Sequence, residues 1–181
     1  MHYPWYELVD SDQLEQGDFL TNCPLIDPPA TLSGPPEAGG NASEASLQFH
    51  DTVVLSQSCD LAAGGKVRRV LLCPIVSYEK ALLGTSPDHL EDRMQDLEKH
   101  RVFKRHLIEP CQIEGHSHGH RVALFEDVYT LPLKYVRHVL VPPQRVRLRL
   151  LPPYREHLAQ RYGTFIMRVG NPTDMRKLPR P

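Results

Sequence analysis

In the stretch Asp51-Thr-Val-Val-Leu-Ser56, and again in Val67-Arg-Arg-Val-Leu-Leu-Cys73, β-branched and apolar residues follow one another. Such runs are typical of buried strands. A Gly64-Gly65 turn signal lies between them, which predicts an antiparallel hairpin with a wide connection. The fold class follows from this hairpin, because the other elements must pack around its sheet.

The flanking sequence adds further strands and two helices. Apolar runs bounded by turn residues predict strands at Phe19–Cys23, Arg121–Phe125, Tyr129–Leu133 and Arg145–Leu150. Ser86 and Pro87 are typical of a helix start, and helical spacing with a basic end extends this helix to about Arg105. A second, amphipathic helix is predicted over Pro153–Val169. The predicted fold is a single α+β domain over residues 1–181, a small antiparallel β-barrel with an inserted helix and a C-terminal amphipathic helix.

Composition restricts the protein class. Residues 27–46 are rich in Pro, Gly, Ser and Ala, which predicts a mobile or disordered loop insertion. The longest uncharged apolar run, Val70–Val76, is far shorter than the ~20 residues that cross a bilayer, and the N-terminus resembles no signal peptide. We therefore expect no membrane partner.

The cysteines of the chain are widely spaced, at Cys23, Cys59, Cys73 and Cys111. This spacing predicts reduced thiols and a cytoplasmic location.

The net charge of −1 conceals an asymmetry. Residues 1–133 carry 10 Lys and Arg against 20 Asp and Glu, whereas residues 134–181 carry 11 against 2. The basic C-terminal region either contacts a polyanion or packs against the acidic remainder of the chain or of a partner. Composition leaves both interpretations open.

Three motifs in order carry a family resemblance. These are the Gly17-Asp18 turn, the apolar strand ending at Leu55-Ser56, and the strand Val70–Val76 ending at Ser77. Together with Asp127–Leu133, they resemble the PemK/MazF-like toxins, which are small SH3-like β-barrels. Ser56–Asp60, Pro153–Leu158 and Met167–Gly170 are also similar to segments of bacterial proteins without an assigned activity. The PemK-like resemblance implies a metal-independent endoribonuclease that needs no cofactor, acts on single-stranded RNA and is usually a homodimer.

The chain departs from that family at its catalytic positions. Where the family has Arg-Pro before the Leu-Ser strand, this sequence has His50-Asp51, so only His50 stands in for the catalytic Arg. The family's Thr in Pro-Ile-Thr-Ser is Val76, which leaves Ser77 as the hydroxyl. Cys59 and Asp60 follow a core strand. Cys59 is either a nucleophile whose pKa an adjacent histidine lowers, with Asp60 orienting that histidine, or a buried thiol next to Asp60 as a turn residue. The candidate catalytic set is His50, Cys59, Asp60 and Ser77.

A cysteine and three histidines lie within ten residues, at Cys111, His116, His118 and His120. Thiolate and imidazole ligate Zn²⁺, but the spacing matches no common zinc module. We therefore interpret the segment as a Gly-containing hairpin loop and assign no metal site.

Arginines alternate with apolar residues in the predicted strand Arg145–Leu150. Alternation places Arg145, Arg147 and Arg149 on one face and Val146, Leu148 and Leu150 toward the core. This face, with Arg155, is a candidate nucleic-acid-binding surface, and Tyr154 or Tyr162 is a candidate for base stacking. A charged, solvated edge strand is the alternative.

The leading hypothesis is a nucleic-acid-directed protein of toxin or antiphage-defence type, with endoribonuclease activity as its candidate chemistry. Two alternatives come from other classes. One is a non-catalytic module that binds a protein partner through the basic C-terminal region; the other is a thiol- or zinc-dependent site at Cys59.

Overall fold

The computed structural model describes residues 4–27, 46–62, 66–142 and 145–167. Its strands are β1 (Tyr6–Val9), β2 (Phe19–Asp27), β3 (Ser46–Val54), β4 (Arg69–Ser77), β5 (Arg105–Ile108), β6 (Arg121–Leu124), β7 (Tyr129–Pro132) and β8 (Arg147–Leu150). Its helices are α1 (Ser58–Leu61), α2 (Tyr78–Leu82), α3 (Pro87–Glu98), α4 (Leu133–Tyr135), which continues as a π-helical turn over Val136–Leu140, and α5 (Tyr154–Ile166). A 3₁₀ turn covers Phe125–Asp127. The mixed α+β class is therefore confirmed.

The predicted hairpin forms the centre of the larger sheet. β3 pairs antiparallel with β4, and Asp51 lies opposite Ile75. The strand order is β2-β3-β4-β6-β5, with β7 pairing the free end of β4, while β1 and β8 form a separate two-stranded sheet. Sequence patterns located the cores of the predicted strands but missed β1 and β5, each of which spans only four residues.

Strand pairing among the described residues does not close into a barrel. The two sheets are joined at one end by a bridge between Asp18 and Arg149. At the other end, the hydroxyl of Tyr6 on β1 donates a hydrogen bond to the carbonyl of Glu109, directly after β5. The sheet therefore curves strongly, and β1 and β8 face the strands of the larger sheet.

The turn before β2 requires a glycine. Gly17 has φ +87°, and a Cβ at this position would lie 3.2 Å from the Cβ and carbonyl oxygen of Leu150 and 3.1 Å from Cγ of Arg155. Its N–H donates to the carbonyl of Val54 and its carbonyl accepts from Leu150 N–H. The Gly17 backbone thus holds β3 and β8 together at close range, which no larger residue allows.

Helix α5 covers one end of the main core. Leu158 is fully buried there, and Tyr154, Tyr162 and Phe165 pack against the same cluster. Tyr154 stacks on Trp5, with ring centroids 3.6 Å apart. The expected apolar face is correct at these positions but not at Ile166, which is 60% exposed at the helix end.

Helix α3 is shorter than its sequence pattern indicates. It starts at Pro87 with Ser86 as its N-cap residue, as predicted, but ends at Glu98 rather than near Arg105. His100 takes a left-handed conformation with φ +51°, which turns the chain out of the helix, and Arg105 already begins β5. The basic residues after Glu98 therefore belong to a turn and a strand.

Two predicted regions fall largely outside the described residues. Of the loop insertion 27–46, only Asp27 and Ser46 are described, and they end β2 and begin β3. The end of the basic region 134–181 beyond Met167 lies outside as well. In the described parts of the chain, no helix combines the length and apolar character needed to cross a bilayer.

Candidate functional site

A cavity of about 410 Å³ opens between β2, β8 and the loop that joins β5 to β6. We call it the His118 cavity. It is lined by Phe19, Leu20, Thr21, Gly115, His116, Ser117, His118, Arg121, Leu140, Val141, Arg145, Val146, Arg147 and Leu148. Two imidazoles and three guanidiniums thus border one opening, and its floor is apolar.

Backbone pairing fixes His118 at this cavity. Its N–H donates to the carbonyl of Cys111, and its carbonyl accepts from the N–H of Cys111, each at 3.0 Å. Such directly opposed residues project side chains to the same side. The His118 ring accordingly meets the Tyr6 ring edge-on at 5.5 Å and lies 6.2 Å from that of Phe19. A small β-ladder and two aromatic rings therefore hold the imidazole in place.

The hydrogen bonding of His118 defines its tautomer. Nδ1 lies 2.8 Å from the carbonyl oxygen of Gly119, and a carbonyl only accepts, so Nδ1 carries the proton. Nε2 is buried and has no hydrogen-bond partner among the described residues. Burial lowers the pKa of His118, as does the charge of Arg121, while the Gly119 hydrogen bond and Asp51 act in the opposite direction. The imidazole is therefore neutral near pH 7 and presents a lone pair at Nε2.

Two guanidiniums line the same cavity as this imidazole. Arg121 Nη1 lies 3.2 Å from Oδ2 of Asp51 on β3, which β4 separates from the strand that carries Arg121. Arg145 Nη2 donates to Oγ1 of Thr21 at 2.8 Å, and its Nη1 donates to the carbonyl of Leu140 at 3.2 Å. A guanidinium has five N–H groups, so both groups keep donors beyond these bonds. The cavity can therefore bind an oxyanion beside a neutral base.

The candidate catalytic residues from the sequence do not meet in one cleft. Ser56 Oγ accepts from the N–H of Leu71 at one end of the sheet, and Ser77 lies six residues farther along β4, about 20 Å away. The Ser77 hydroxyl accepts from Lys80 N–H and caps α2. His50 lies opposite Cys23, on the face of the sheet opposite to that of Asp51. These candidate residues therefore do not form a single site.

Cys59 and Asp60 lie on α1, at the Ser56 end of the sheet. Cys59 is exposed, and its Sγ lies 3.7 Å from Oε1 of Gln57. Within the described residues, no imidazole is hydrogen-bonded to this thiol. The interpretation of Cys59 as a buried structural thiol is thus corrected, and the histidine partner that would activate a nucleophile is not found beside it.

The arginine face of β8 is buried rather than exposed. Leu148 and Leu150 face the core as alternation predicts, but Arg147 and Arg149 are only 5% and 7% exposed. Both guanidiniums bind the fully buried carboxylate of Asp18, with Arg147 Nε 2.8 Å from Oδ2. In the segment before Asp18, the carbonyls of Ser11 and Gln13 and the carboxylate of Glu15 accept further hydrogen bonds from the two guanidiniums. At these two positions, the basic region packs against the chain's own acidic side chains.

The other two candidate nucleic-acid-binding arginines are more accessible. Arg145 is exposed and lines the His118 cavity. Arg155 is half-buried and lies 2.9 Å from Glu156 and 3.6 Å from Glu15. The proposed stacking residues are engaged elsewhere, because Tyr154 stacks on Trp5 and Tyr162 packs edge-on against Phe125.

The cysteine and histidine cluster is a hairpin-like loop, as interpreted. Cys111 is buried, and its backbone pairs with His118. His120 is exposed, and its Nε2 lies 3.5 Å from Oε2 of Glu109. Within the described ranges, no group of three or more His, Cys, Asp or Glu side chains is arranged to hold a metal ion.

A second group of histidines packs beneath α5. His100, His106 and His157 have ring centroids 5.1 to 5.3 Å apart. Burial lowers the pKa of His106 to about 3, and the neighbouring His100, His157 and Arg161 act in the same direction. Burial also lowers the pKa of His100 and of His157. We call this group the histidine triangle; it is a set of neutral rings, with His106 buried and His100 and His157 partly buried.

No protein-family model matches the sequence, and no curated protein matches it either. Assignment of the site therefore depends on its geometry. His118, Arg121 and Asp51 are the residues that sequence reasoning missed. The sequence pattern that could have located these residues is the alternation of histidines directly before the predicted strand at Arg121, which is formed by His116, His118 and His120.

Proposed function

We propose that this chain binds single-stranded RNA and cleaves it as an endoribonuclease, with the reacting phosphate in the His118 cavity. The observation that carries the proposal is the buried, unpartnered Nε2 of a neutral imidazole beside two guanidiniums. The strongly curved sheet, linked at both ends, supports a PemK-like barrel as its scaffold. The expected homodimer and the link to toxin or antiphage-defence biology belong to the same proposal.

The proposed chemistry needs a base and a cation. The ribose 2′-hydroxyl gives its proton to Nε2 of His118, and its oxygen forms a bond to the adjacent phosphorus. The bond from phosphorus to the 5′-oxygen breaks, and that oxygen takes a proton from a water molecule; the hydroxide that remains takes the proton from the His118 imidazolium, which returns the base to its neutral form. Arg121 and Arg145 stabilise the charge that develops on the phosphoryl oxygens. The products are a 2′,3′-cyclic phosphate and a 5′-hydroxyl.

A matched set of variants tests the base. We expect wild-type protein to cut a short single-stranded RNA in the presence of EDTA, and to bind but not cut the 2′-O-methyl analogue. His118→Gln should reduce the cleavage rate by about 10²-fold or more, since a general base contributes roughly that much. His120→Gln, two residues along the same loop and outside the cavity, should cut at the wild-type rate.

The arginines are tested by binding. Arg121→Gln and Arg145→Gln should each weaken RNA binding and reduce the slope of log affinity against log salt by about 0.7, the contribution of one single-strand phosphate contact. Arg101→Gln, at an exposed position away from the cavity, serves as the control. If the wild-type chain shows no salt-sensitive RNA binding at low ionic strength, the proposal fails. Capture of a protein partner through the basic region would then favour the interaction-module alternative.

A further inference from the structure

The hairpin of β2 and β3 extends past its neighbour in the sheet. β4 pairs with β3 only from Asp51 to Val54, whereas β2 pairs with β3 as far as Ser46. Residues 23–27 and 46–50 therefore form a two-stranded projection, which we call the hairpin arm. It begins beside the His118 cavity, because both β2 and Asp51 contribute to that region.

One face of the hairpin arm is apolar and exposed. The register irregularity of this pair falls on β2, between Leu20 and Cys23, so β3 alternates regularly and places Leu47, Phe49 and Asp51 on one face. Phe49 is 59% exposed and Leu47 is 56% exposed. Ile26, which lies opposite Leu47, is 67% exposed.

This face is continuous with the charged wall of the cavity. Asp51 contacts Arg121, which lines the cavity, and Phe49 lies two strand positions from Asp51, about 7 Å along β3. An exposed aromatic ring beside an arginine that can bind phosphate is the pairing by which proteins hold single-stranded nucleic acid. This arrangement favours a nucleic acid strand over a wholly apolar partner, because the guanidinium can bind a phosphate while the apolar face contacts the unpaired base attached to it.

We propose that Phe49 is the stacking platform for the unpaired nucleobase next to the phosphate in the His118 cavity, an inference that rests on the proposed function. Leu47 and Ile26 extend the platform along the arm. Stacking on an aromatic face tolerates every base, so the platform selects unpaired strands rather than a sequence. It therefore explains a preference for single-stranded over double-stranded RNA.

The test compares Phe49→Ala with Phe49→Trp, because the second variant keeps an aromatic face. Equilibrium binding is measured to a short single-stranded RNA and to the same strand with abasic residues. We expect Phe49→Ala to weaken RNA binding about tenfold, within the range known for loss of one base stack, and Phe49→Trp to bind no more weakly than wild type. The abasic strand should bind wild type and Phe49→Ala equally. Phe103→Ala, at another exposed phenylalanine, is the matched control.

The outcomes separate the two proposals. If wild type binds RNA and Phe49→Ala binds it equally well, the platform is wrong and the proposed function stands. If wild type binds no RNA, both fail. Light scattering provides a further check. If wild type is a dimer and Phe49→Ala is a monomer with unchanged RNA affinity, a second copy of the chain covers this face, and the platform is wrong. If Phe49→Ala does not fold, Phe49→Leu is measured instead, because leucine keeps an apolar side chain without an aromatic face; RNA affinity equal to that of wild type then overturns the platform.

Discussion

Arg147 Nε lies 2.8 Å from Oδ2 of Asp18, and both side chains are buried, although 129 residues separate them in the sequence. Arg149 binds the other carboxylate oxygen of the same aspartate. This carboxylate therefore joins β8 to the turn before β2. Other donors of the two guanidiniums bind the carbonyls of Ser11 and Gln13 and the carboxylate of Glu15, in the segment before that turn.

Removing the charge of Asp18 should strongly destabilise the fold. Asp18→Asn leaves the buried Arg147 guanidinium without its counter-ion and leaves Arg149 with Glu15 alone, and breaking a buried ion pair typically costs about 3–5 kcal/mol. We expect a loss of that size in the free energy of unfolding measured by urea denaturation. Asp10→Asn, at an exposed position, should change stability by less than about 0.5 kcal/mol. Equal stability of the two variants would contradict a central role for the Asp18 carboxylate.

Two glycines should respond oppositely to alanine. Gly17→Ala introduces a Cβ against Leu150 at a positive φ, so we expect a stability loss of about 1–3 kcal/mol. Gly163 lies inside α5, and a Cβ there meets nothing within 4 Å. Gly163→Ala should therefore raise stability by about 0.5–1 kcal/mol, the difference in helix propensity. Thermal unfolding measures the stability of both variants. A destabilised Gly163→Ala protein would contradict the open space around this residue of α5.

The histidine triangle predicts acid lability. The pKa of His106 falls from the ordinary value near 6.5 to about 3 in the folded chain, so the unfolded chain binds the proton first as pH falls. The stability contributed by the neutral ring is complete above about pH 6.5 and is lost progressively toward pH 3, by at most about 1.4 kcal/mol per pH unit. His100 and His157 act in the same direction, whereas Glu109 opposes the shift at His100.

Comparison of unfolding free energies at about pH 7 and about pH 5 checks this expectation. Wild type should be less stable at the lower pH. His106→Phe, which keeps a ring beside Phe125, should show a smaller difference, and His157→Gln provides a second variant if the first does not fold. A wild-type protein that gains stability at about pH 5 would refute the assignment of neutral rings in this cluster.

The four thiols should differ sharply in reactivity. Cys59 is exposed, whereas Cys23, Cys73 and Cys111 are buried. Burial raises the pKa of Cys23 to about 11 and also raises that of Cys73, which lowers the thiolate fraction further. We expect a thiol reagent to label one cysteine rapidly in the native chain and all four after denaturation. Cys59→Ser should remove the rapid phase; rapid labelling that persists in this variant would contradict the burial pattern.

Local sequence patterns predicted much of the sheet. The β-branched run at Asp51–Ser56 and the apolar run after Val67 gave the central hairpin, since β propensity and the turn signal agree there. The C-terminal end of α3 and the short strands β1 and β5 escaped prediction, because four-residue strands and a turn at His100 depend on tertiary packing.

The candidate site depended on contacts that local patterns do not encode. Alternation correctly placed Leu148 and Leu150 in the core, but the burial of Arg147 and Arg149 follows from Asp18, which is distant in the sequence. His118 is positioned by backbone pairing with Cys111 and by the Tyr6 ring from the first strand. A histidine in a Gly-containing loop carries no sign of either contact.

The stack of Trp5 on Tyr154 places the sole tryptophan of the chain against the C-terminal helix. Tryptophan fluorescence therefore responds to the detachment of α5. If α5 detaches before the strands separate, the emission change will precede the loss of far-ultraviolet circular dichroism. The two optical signals thus distinguish detachment of α5 from unfolding of the sheet, and neither requires a label added to the chain.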